Sequence, residues 1–158
     1  MAETGRLVGI ARHGRPRGPI ETLGSVSVTV AAGLQGDFRG AVKPGAKARR
    51  QVSLIEAESW SAAMADLALP ADEMLPWHVR RANLLIAGLR LPRESGYVVA
   101  IGESLRIEVT RECDPCSRME EIKSGLKAAL TPDWRGGFLG KVLVDGDIAV
   151  GDEIRIEK

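Results

Sequence analysis

The chain has 158 residues, which is long enough for one domain with a sizeable buried core. Its 22 lysines and arginines nearly balance its 21 aspartates and glutamates, which argues against a general nucleic-acid or membrane-surface binder. Aromatic residues make up 4% of the chain, too few for a base-stacking platform, and no apolar run approaches the roughly 20 residues of a membrane span. We therefore expect a single domain over residues 1–158 that binds neither nucleic acid nor membrane.

The first half of the chain has the pattern of short strands. Short apolar runs or alternating polar and apolar residues are typical of strands and occur over residues 7–10, 25–30 and 51–56. The last of these runs leads into a helix predicted over residues 57–69, which Pro70 ends. Turn formers dominate residues 32–40, and residues 41–50 contain four basic residues and no acidic one.

The second half of the chain also has the pattern of short strands. Strands are predicted over residues 83–86, over 97–112 as a pair that meets at Gly102-Glu103, and as two or three strands from 138 to 156. Apolar residues at helical spacing predict one helix over 117–130. Many short strands, 18 glycines and two helices predict a β-rich α+β domain, a partly closed β-barrel with a few flanking helices. We expect the last strands to close that barrel.

No signal-peptide pattern of charged and then apolar residues is present in the first residues, so we expect a cytoplasmic protein. Cysteines usually stay reduced in the cytoplasm. A C-x-x-C pair there is more often reactive or metal-binding than structural.

Both cysteines lie in the segment Cys113-Asp114-Pro115-Cys116. Asp is a favoured N-cap and Pro a favoured first helical residue, which predicts that Cys116 lies in the first turn of the following helix. Ser117 with Glu120 offers a capping box as an alternative start. In both arrangements the Cys116 thiol lies near unpaired backbone N–H groups and the positive end of the helix dipole, a setting that favours a reactive thiolate. The neighbouring charges are mixed: arginines at 111 and 118 support the effect, and acidic residues at 112, 114 and 120 oppose it.

The pair has three interpretations. A structural zinc site needs four ligands, and His13 and His78 lack the spacing that would complete one. A thioredoxin-like dithiol has this local spacing, but that fold places the motif early, in a βαβ unit. The third interpretation applies to Cys113 taken by itself, which would pack as a small hydrophobic residue at the end of a strand. Cys116 is the candidate functional thiol.

Motifs spread along most of the chain resemble those of the MOSC domain, the module named after the C-terminal part of molybdenum cofactor sulfurases. In chain order they are GLQGDFRG (33–40), RQVSLIEAES (50–59), RRANLLIAGLRL (80–91), GESLRIEVTRECDPC (102–116) and WRGGFLGKVLVDGDIAVGDEIRI (134–156). Pro115-Cys116 corresponds to the hallmark cysteine of the family.

The resemblance implies a stand-alone MOSC domain with a β-barrel similar to that of pyruvate kinase, and a role around the molybdenum cofactor. Cys116 would be the catalytic residue, either as a persulfide sulfur carrier or as a molybdenum ligand in the reduction of N-hydroxylated compounds. A non-enzymatic cofactor or sulfur carrier and a dithiol redox protein are the alternatives. The sequence contains no PLP-type desulfurase domain and no iron–sulfur domain, so we expect a sulfur-donor or electron-donor protein as partner. A homodimer is an open possibility.

Basic residues are the candidates for binding this cofactor, since a pterin dithiolene with a phosphate tail is anionic and arginine suits phosphate. The Arg-x-Asn pattern of the family matches Arg81-Ala82-Asn83, which implies Arg81 at the phosphate and Asn83 at a polar edge of the pterin. Further cofactor-binding candidates are Lys47, Arg49 and Arg50. We expect Arg81, Asn83 and at least one of these three to line the cleft that contains Cys116. Asp37 is either a site residue or a turn residue only.

Overall fold

A computed structural model describes residues 3–15, 17–38, 40 and 49–157. In this part of the chain the strands are β1 (Thr4–Arg12), β2 (Glu21–Leu23), β3 (Ser25–Thr29), β4 (Gly33–Leu34), β5 (Val52–Glu56), β6 (Leu84–Ala87), β7 (Val98–Ile101), β8 (Leu105–Glu112), β9 (Phe138–Val144), β10 (Gly146–Ala149) and β11 (Glu153–Glu157). The helices are α1 (Ala57–Leu67), α2 (Ser117–Ile122) and α3 (Leu126–Leu130), with 3₁₀ turns at Ala71–Glu73, Trp77–Arg80 and Pro132–Trp134. None of these helices has the length and apolarity needed to cross a membrane.

Seven strands form a closed barrel in the order β11-β7-β8-β9-β5-β6-β1, and β1 closes it by pairing with β11. Strand β1 pairs with β11 on one edge through Thr4 to Arg6 and with β6 on the other edge from Arg6 to Ile10, with a register shift against β6 between Leu7 and Gly9. The prediction of a β-rich barrel is confirmed, and the barrel is closed fully. Strands β10, β3 and β4 form a separate small sheet, and β2 extends the main sheet beside β1.

Alternating side chains fill the barrel. Leu105, Ile107 and Val109 of β8 are fully buried, and the residues between them are half-buried, as a strand with one face on a core requires. Burial of each such aliphatic side chain stabilises the fold by about 1.5–3 kcal/mol. The register shift between β8 and β9 opposite Arg106 and Ile107 turns Val144 outward, where the strict alternation of the sequence predicted an inward side chain.

A second apolar cluster lies between the helices and the outside of the barrel. It contains Trp60 and Met64 of α1, Met119 of α2, and Leu126 and Leu130 of α3. Because Met119 is almost completely buried, this cluster fixes α2, and with it the cysteine segment that precedes α2.

The single helix predicted over 117–130 is wrong, since the chain breaks it into α2 and α3. Lys123 is extended, with φ −156°, and Gly125 is left-handed, with φ +90°. The Glu120 carboxylate accepts a hydrogen bond from the Gly125 N–H, 3.0 Å away, which stabilises the break. Because of this break, the side chains of Leu126 and Leu130 point into the second apolar cluster. Helix α1 also ends earlier than predicted, because Ala68 adopts a left-handed conformation.

A buried ion pair links β5 to the loop after β6. Both Glu56 oxygens contact the Arg93 guanidinium, at 2.6 and 2.7 Å, and Glu56 also accepts bonds from the Leu91 N–H and the Ser59 hydroxyl. Glu56→Ala should therefore lower the free energy of unfolding by about 3–5 kcal/mol, because it removes the buried partner of Arg93 and leaves only the half-exposed Asp133, 3.5 Å away. Urea unfolding measures this, with Glu21→Ala at the exposed Arg12 ion pair as the control, expected to cost no more than about 1 kcal/mol. Equal losses in the two variants would contradict a buried ion pair at Glu56.

Candidate functional site

A cleft of about 440 Å³ opens between one end of the barrel and α2. Segments far apart in the sequence meet there: the end of β1, the turn after β4, the start of β5, the 3₁₀ turn before β6, the segment after β8, and α2. The lining side chains are His13, Arg17, Asp37, Phe38, Arg50, Ser53, Arg80, Arg81, Asn83, Cys113, Asp114, Cys116, Arg118, Met119 and Leu139.

Cys116 is exposed in this cleft at the start of α2. It occupies the N-cap position, with extended backbone at φ −114° and ψ −179°, and its carbonyl accepts the Met119 N–H at 3.0 Å. The prediction that Cys116 lies in the first helical turn, with Asp114 as the cap, is thus wrong: the cap lies two positions later, at Cys116 itself. Helix α2 has no side-chain capping bond, and the Asp114 carboxyl lies beside that of Glu112. The proximity of the thiol to the start of the helix is retained.

Cys113 follows β8 and also lines the cleft, half-buried. Its N–H donates to the Gly137 carbonyl at 2.9 Å, which extends the β8–β9 pairing to the cysteine. The Cys113 sulfur accepts a hydrogen bond from Nη2 of Arg80 at 3.2 Å. Cys113 lies at a strand end as the sequence predicts, but its sulfur contacts a guanidinium and not only apolar atoms.

Arg80 is the residue of this site that the sequence interpretation missed. Its side chain is buried, and it donates to the carbonyls of Cys113 (2.9 Å), Asp114 (3.4 Å) and Gly136 (3.0 Å). These bonds fix the cysteine segment against the loop before β9. The only signal in the sequence is that two arginines, Arg80 and Arg81, stand side by side before the Asn.

Arg81 faces the cleft from the other side of the same turn. It has a left-handed backbone, with φ +67°, and its Nη2 donates to the Gly18 carbonyl at 2.8 Å. Burial, followed by repulsion from Arg118 and Arg17, lowers the pKa of Arg81 from its ordinary value, and Asp37 opposes the shift. Arginine remains charged at neutral pH even so. The shift thus reflects burial of Arg81 first and the nearby guanidinium groups of Arg118 and Arg17 second.

Arg118 extends this positive surface from α2. Its Nε is shielded from solvent and has no hydrogen-bond partner among the described residues, and its Nη1 is 3.8 Å from Glu121. Five arginines and two aspartates line the cleft, counted over the described residues. An anion placed in the cleft would relieve the repulsion between the guanidinium groups.

Two other predicted residues, Asn83 and Arg50, also line the cleft. The Asn83 amide is buried, and its oxygen accepts the Ser53 N–H (3.0 Å) and hydroxyl (3.2 Å), while its nitrogen donates to the Ala11 carbonyl (3.2 Å). Asn83 therefore holds β1, β5 and β6 together at the cleft wall. The Arg50 side chain is exposed and adds positive charge.

The remaining basic candidates are placed elsewhere. Arg49 is exposed and is not among the lining residues, and its carbonyl accepts the Thr110 hydroxyl at 2.6 Å. Lys47 lies outside the described residues. The structure thus brings Cys116, Arg81, Asn83 and Arg50 to one cleft, and their part in binding stays a prediction.

Asp37 combines both roles considered for it. It is buried in the turn after β4, where Oδ1 accepts the His13 N–H at 3.1 Å, and it also lines the cleft. The His13 ring lies 3.7 Å from the same oxygen and packs on Phe38. No group of three histidine, cysteine or acidic side chains within the described ranges is arranged to hold a metal ion.

The family model of the MOSC domain matches residues 18–155, most of the chain. The chain belongs to the MOSC family. MOSC domains are associated with the molybdenum cofactor.

Solved structures share the fold of this MOSC protein. The YuaD protein from Bacillus subtilis is 17% identical, with a TM-score of 0.79 over 99% of this chain and 97% of that chain. YiiM from Escherichia coli is 16% identical, with a TM-score of 0.68 over 97% and 70% of the two chains. YiiM from Geobacillus stearothermophilus is 17% identical, with a TM-score of 0.68 over 98% and 75%. At these identities the likeness shows the fold alone. No curated protein matches the chain.

The cleft of this MOSC protein fits an anionic, sulfur-liganded group. Its volume lies within the range of about 300–1,000 Å³ that ligand sites occupy. Arg118 provides an unused, buried donor, and Arg81 an incompletely compensated charge. Cys116 provides an exposed soft sulfur, the ligand type that a thiolate-bound metal prefers.

The carboxyl of Glu112, next to Cys113, has a raised pKa. Burial is the larger cause, and the Asp114 carboxylate with its shared hydrogen bond adds to it. The folded state therefore binds more protons than the unfolded state, so stability should fall as pH rises from the unfolded value of about 4.3 through the raised folded value. Glu112→Gln should raise Tm at neutral pH by a small amount, within about 2–4 °C for a domain of this size, and the difference should vanish below the unfolded value.

Thermal unfolding of the wild type and Glu112→Gln across pH measures this effect. Glu108→Gln, on the same strand, removes the same charge away from Asp114 and is the matched control. An equal gain in both variants would show that net charge, and not the carboxyl pair, is responsible.

Proposed function

We propose that this MOSC protein binds the molybdenum cofactor in the arginine-lined cleft and that Cys116 is its reactive sulfur. Cys116 either carries sulfane sulfur as a persulfide or ligates molybdenum during the reduction of N-hydroxylated compounds. The observation that carries the proposal is the exposed Cys116 thiol in the same cleft as Arg50, Arg81 and Arg118.

The charges of the cleft support the assignment of residues to parts of the cofactor. Arg81 and Arg118 would hold the phosphate, because a guanidinium forms forked, charge-assisted bonds with phosphate oxygens. Arg50 would add to the positive potential at the entrance. Asn83 would shape the wall through Ser53 and Ala11, since its amide is already hydrogen-bonded inside the protein. When bound, the cofactor supplies a metal that exchanges two electrons with a substrate.

The persulfide role requires only chemistry that Cys116 can perform. The Cys116 thiolate attacks the outer sulfur of a donor persulfide, the donor thiolate leaves, and the outer sulfur remains on Cys116 as a persulfide. No net oxidation takes place, because one persulfide is exchanged for another. The exposure of Cys116 supports access by a donor protein, which would be the partner in this role.

The first experiment is expression of the full chain in a host that makes the molybdenum cofactor, followed by metal and pterin analysis. We expect molybdenum and pterin in equal amounts with the purified protein. Turnover of an N-hydroxylated base with an artificial reductant would then assign the reductase role, and cofactor without turnover would assign the carrier role. Purified protein with neither metal nor pterin, and with no sulfur uptake at Cys116, would overturn the proposal.

Arg81→Gln tests the binding surface. Loss of one charge-assisted bond to phosphate should weaken cofactor binding by about 10-fold or more, because such bonds contribute about 1.5–3 kcal/mol. The retained pterin per protein after extensive washing measures this loss. Arg90→Gln removes a guanidinium from the exposed pair with Asp133, outside the cleft, and should retain the wild-type amount. Equal retention by the two variants would rule out Arg81 as a cofactor ligand.

A further inference from the structure

The second cysteine has no role in the proposed function, yet its surroundings are specific. Cys113 and Cys116 are three positions apart, and both line the cleft. Cys116 is exposed, as the first acceptor of sulfur must be, whereas Cys113 is half-buried behind it. A cysteine that only fills space needs no polar partner, but the Cys113 sulfur has one in Arg80.

The contacts of Arg80 explain what that partner does. None of the ion pairs among the described residues involves Arg80, which is buried and donates to three carbonyls and the Cys113 sulfur. Of these four acceptors, the sulfur is the one that belongs to a side chain. A hydrogen bond from a buried cation holds that sulfur in place.

Close packing keeps this arrangement in place. A Cβ at Gly136 would lie 2.5 Å from the Cys113 carbonyl and 3.2 Å from Nη2 of Arg80, so only glycine fits there. The residues between the cysteines, by contrast, are in neither a helix nor a strand. A disulfide requires the two α-carbons to lie within roughly 7 Å, so the backbone at Asp114-Pro115 must adjust to that spacing while Arg80 holds Cys113.

We propose that Cys113, held by Arg80, is a resolving thiol that discharges a persulfide on Cys116 and releases its outer sulfur as sulfide. This inference rests on the persulfide role of Cys116 proposed above. The released anion leaves within a positively charged cleft, so this MOSC protein would deliver sulfide as well as sulfane sulfur.

The reaction is balanced as follows in atoms and electrons. The Cys113 thiolate attacks the inner sulfur of the Cys116 persulfide, and a bond forms between the two cysteine sulfurs. The bond between the inner and outer sulfurs breaks, and the outer sulfur leaves with its electron pair as hydrosulfide. The outer sulfur is reduced and the cysteine pair is oxidised to a disulfide. Two molecules of a small thiol reductant then restore both cysteines and are themselves oxidised to one disulfide.

The test loads the reduced full chain with inorganic polysulfide, removes the excess, and follows three quantities without added thiol. The first two are the persulfide on Cys116 and the Cys113–Cys116 disulfide, which mass spectrometry of the intact protein and its peptides measures. The third is free sulfide, which a colorimetric probe measures. In the wild type we expect persulfide to disappear as sulfide and disulfide appear in equal amounts. Cys113→Ser should load to the same extent and release sulfide at least about 1,000-fold more slowly, because it loses an intramolecular nucleophile.

Arg80→Gln tests the positioning role. It should load normally and release sulfide about 10-fold more slowly, the factor for one lost hydrogen bond to a charged group. Arg80→Lys keeps the charge and should recover part of the rate, which a purely structural role would not predict. Arg90→Gln is the matched control and should behave as the wild type. If Arg80→Gln does not fold, Cys113→Ser still decides the main step.

The outcomes separate the inference from the function on which it rests. A wild-type persulfide that stays stable, or that moves to Cys113 without sulfide release, would overturn the resolving role and leave the sulfur carrier intact. Equal release rates in the wild type and Cys113→Ser would overturn it as well. Absence of sulfur on Cys116 in the loaded Cys113→Ser variant would overturn the carrier role itself.

Discussion

Cys116→Ser is expected to abolish sulfur loading and to remove the sulfur ligand from the cleft. A serine hydroxyl is not ionised at neutral pH and is a hard oxygen donor, so it neither attacks sulfane sulfur nor replaces a soft thiolate at a thiolate-bound metal. We therefore expect persulfide at the background level after polysulfide treatment and a reduced molybdenum content after expression with the cofactor. Because the Cys116 side chain is exposed at the N-cap, where serine is favoured, the substitution should leave the fold intact.

Cys113→Ser is the matched control for Cys116→Ser, because it makes the same substitution three positions away. We expect Cys113→Ser to load sulfur like the wild type. The alkylation rate of the remaining thiol and the persulfide content of the protein measure this. Retained loading in Cys116→Ser together with its loss in Cys113→Ser would reverse the assignment. Loss in both variants would favour a dithiol in which the two sulfurs act together from the first step.

The barrel was predictable because its strands follow local rules. Alternation along β3 and β8 reports one buried face, and turn formers mark where neighbouring strands reverse. The two strands on either side of Asp145 follow from the same signals, but a tight turn at Asp145-Gly146 does not form, because β9 and β10 belong to different sheets. Closure by the last strands was expected, but these signals do not show which strands meet. The pairing of β1 with β11 joins residues about 150 positions apart, a long-range contact that local patterns do not report.

The site was predictable in part, and the reason differs for each residue. Arg81, Asn83 and Cys116 follow from the family resemblance. The separate roles of Arg80 and Arg81 do not, because adjacent arginines look equivalent in sequence. The left-handed backbone of Arg81 makes the difference, since it turns one side chain into the protein and the other along the cleft. The break after α2 likewise depends on tertiary packing of Leu126 against α1, which helical spacing alone cannot show.

Because the last strand closes the barrel, we expect the fold not to tolerate loss of the C-terminal strands. Truncation after Lys141 removes the end of β9 and all of β10 and β11. The core loses Val142, Ile148 and Ile154, which are 0–2% exposed, and β1 and β7 each lose a hydrogen-bonded neighbour. Two unpaired apolar strand edges remain, which is a known cause of aggregation. We expect no soluble, cooperatively folded protein.

A single substitution in the closing strand lets its contribution to the free energy of unfolding be measured. Ile154→Ala leaves a cavity at the closing strand and should lower the free energy of unfolding by about 2–5 kcal/mol, a large part of the stability of a domain of this size. Val150→Ala, at a side chain that is 47% exposed in the preceding turn, should change it by no more than about 0.5 kcal/mol. Urea unfolding compares the two variants, and the alkylation rate of Cys116 reports on the cleft in the same samples.

A truncated chain that stayed soluble, unfolded cooperatively and kept a reactive Cys116 would mean that β11 is an appendage. The cysteine cleft would then form without the closing strand.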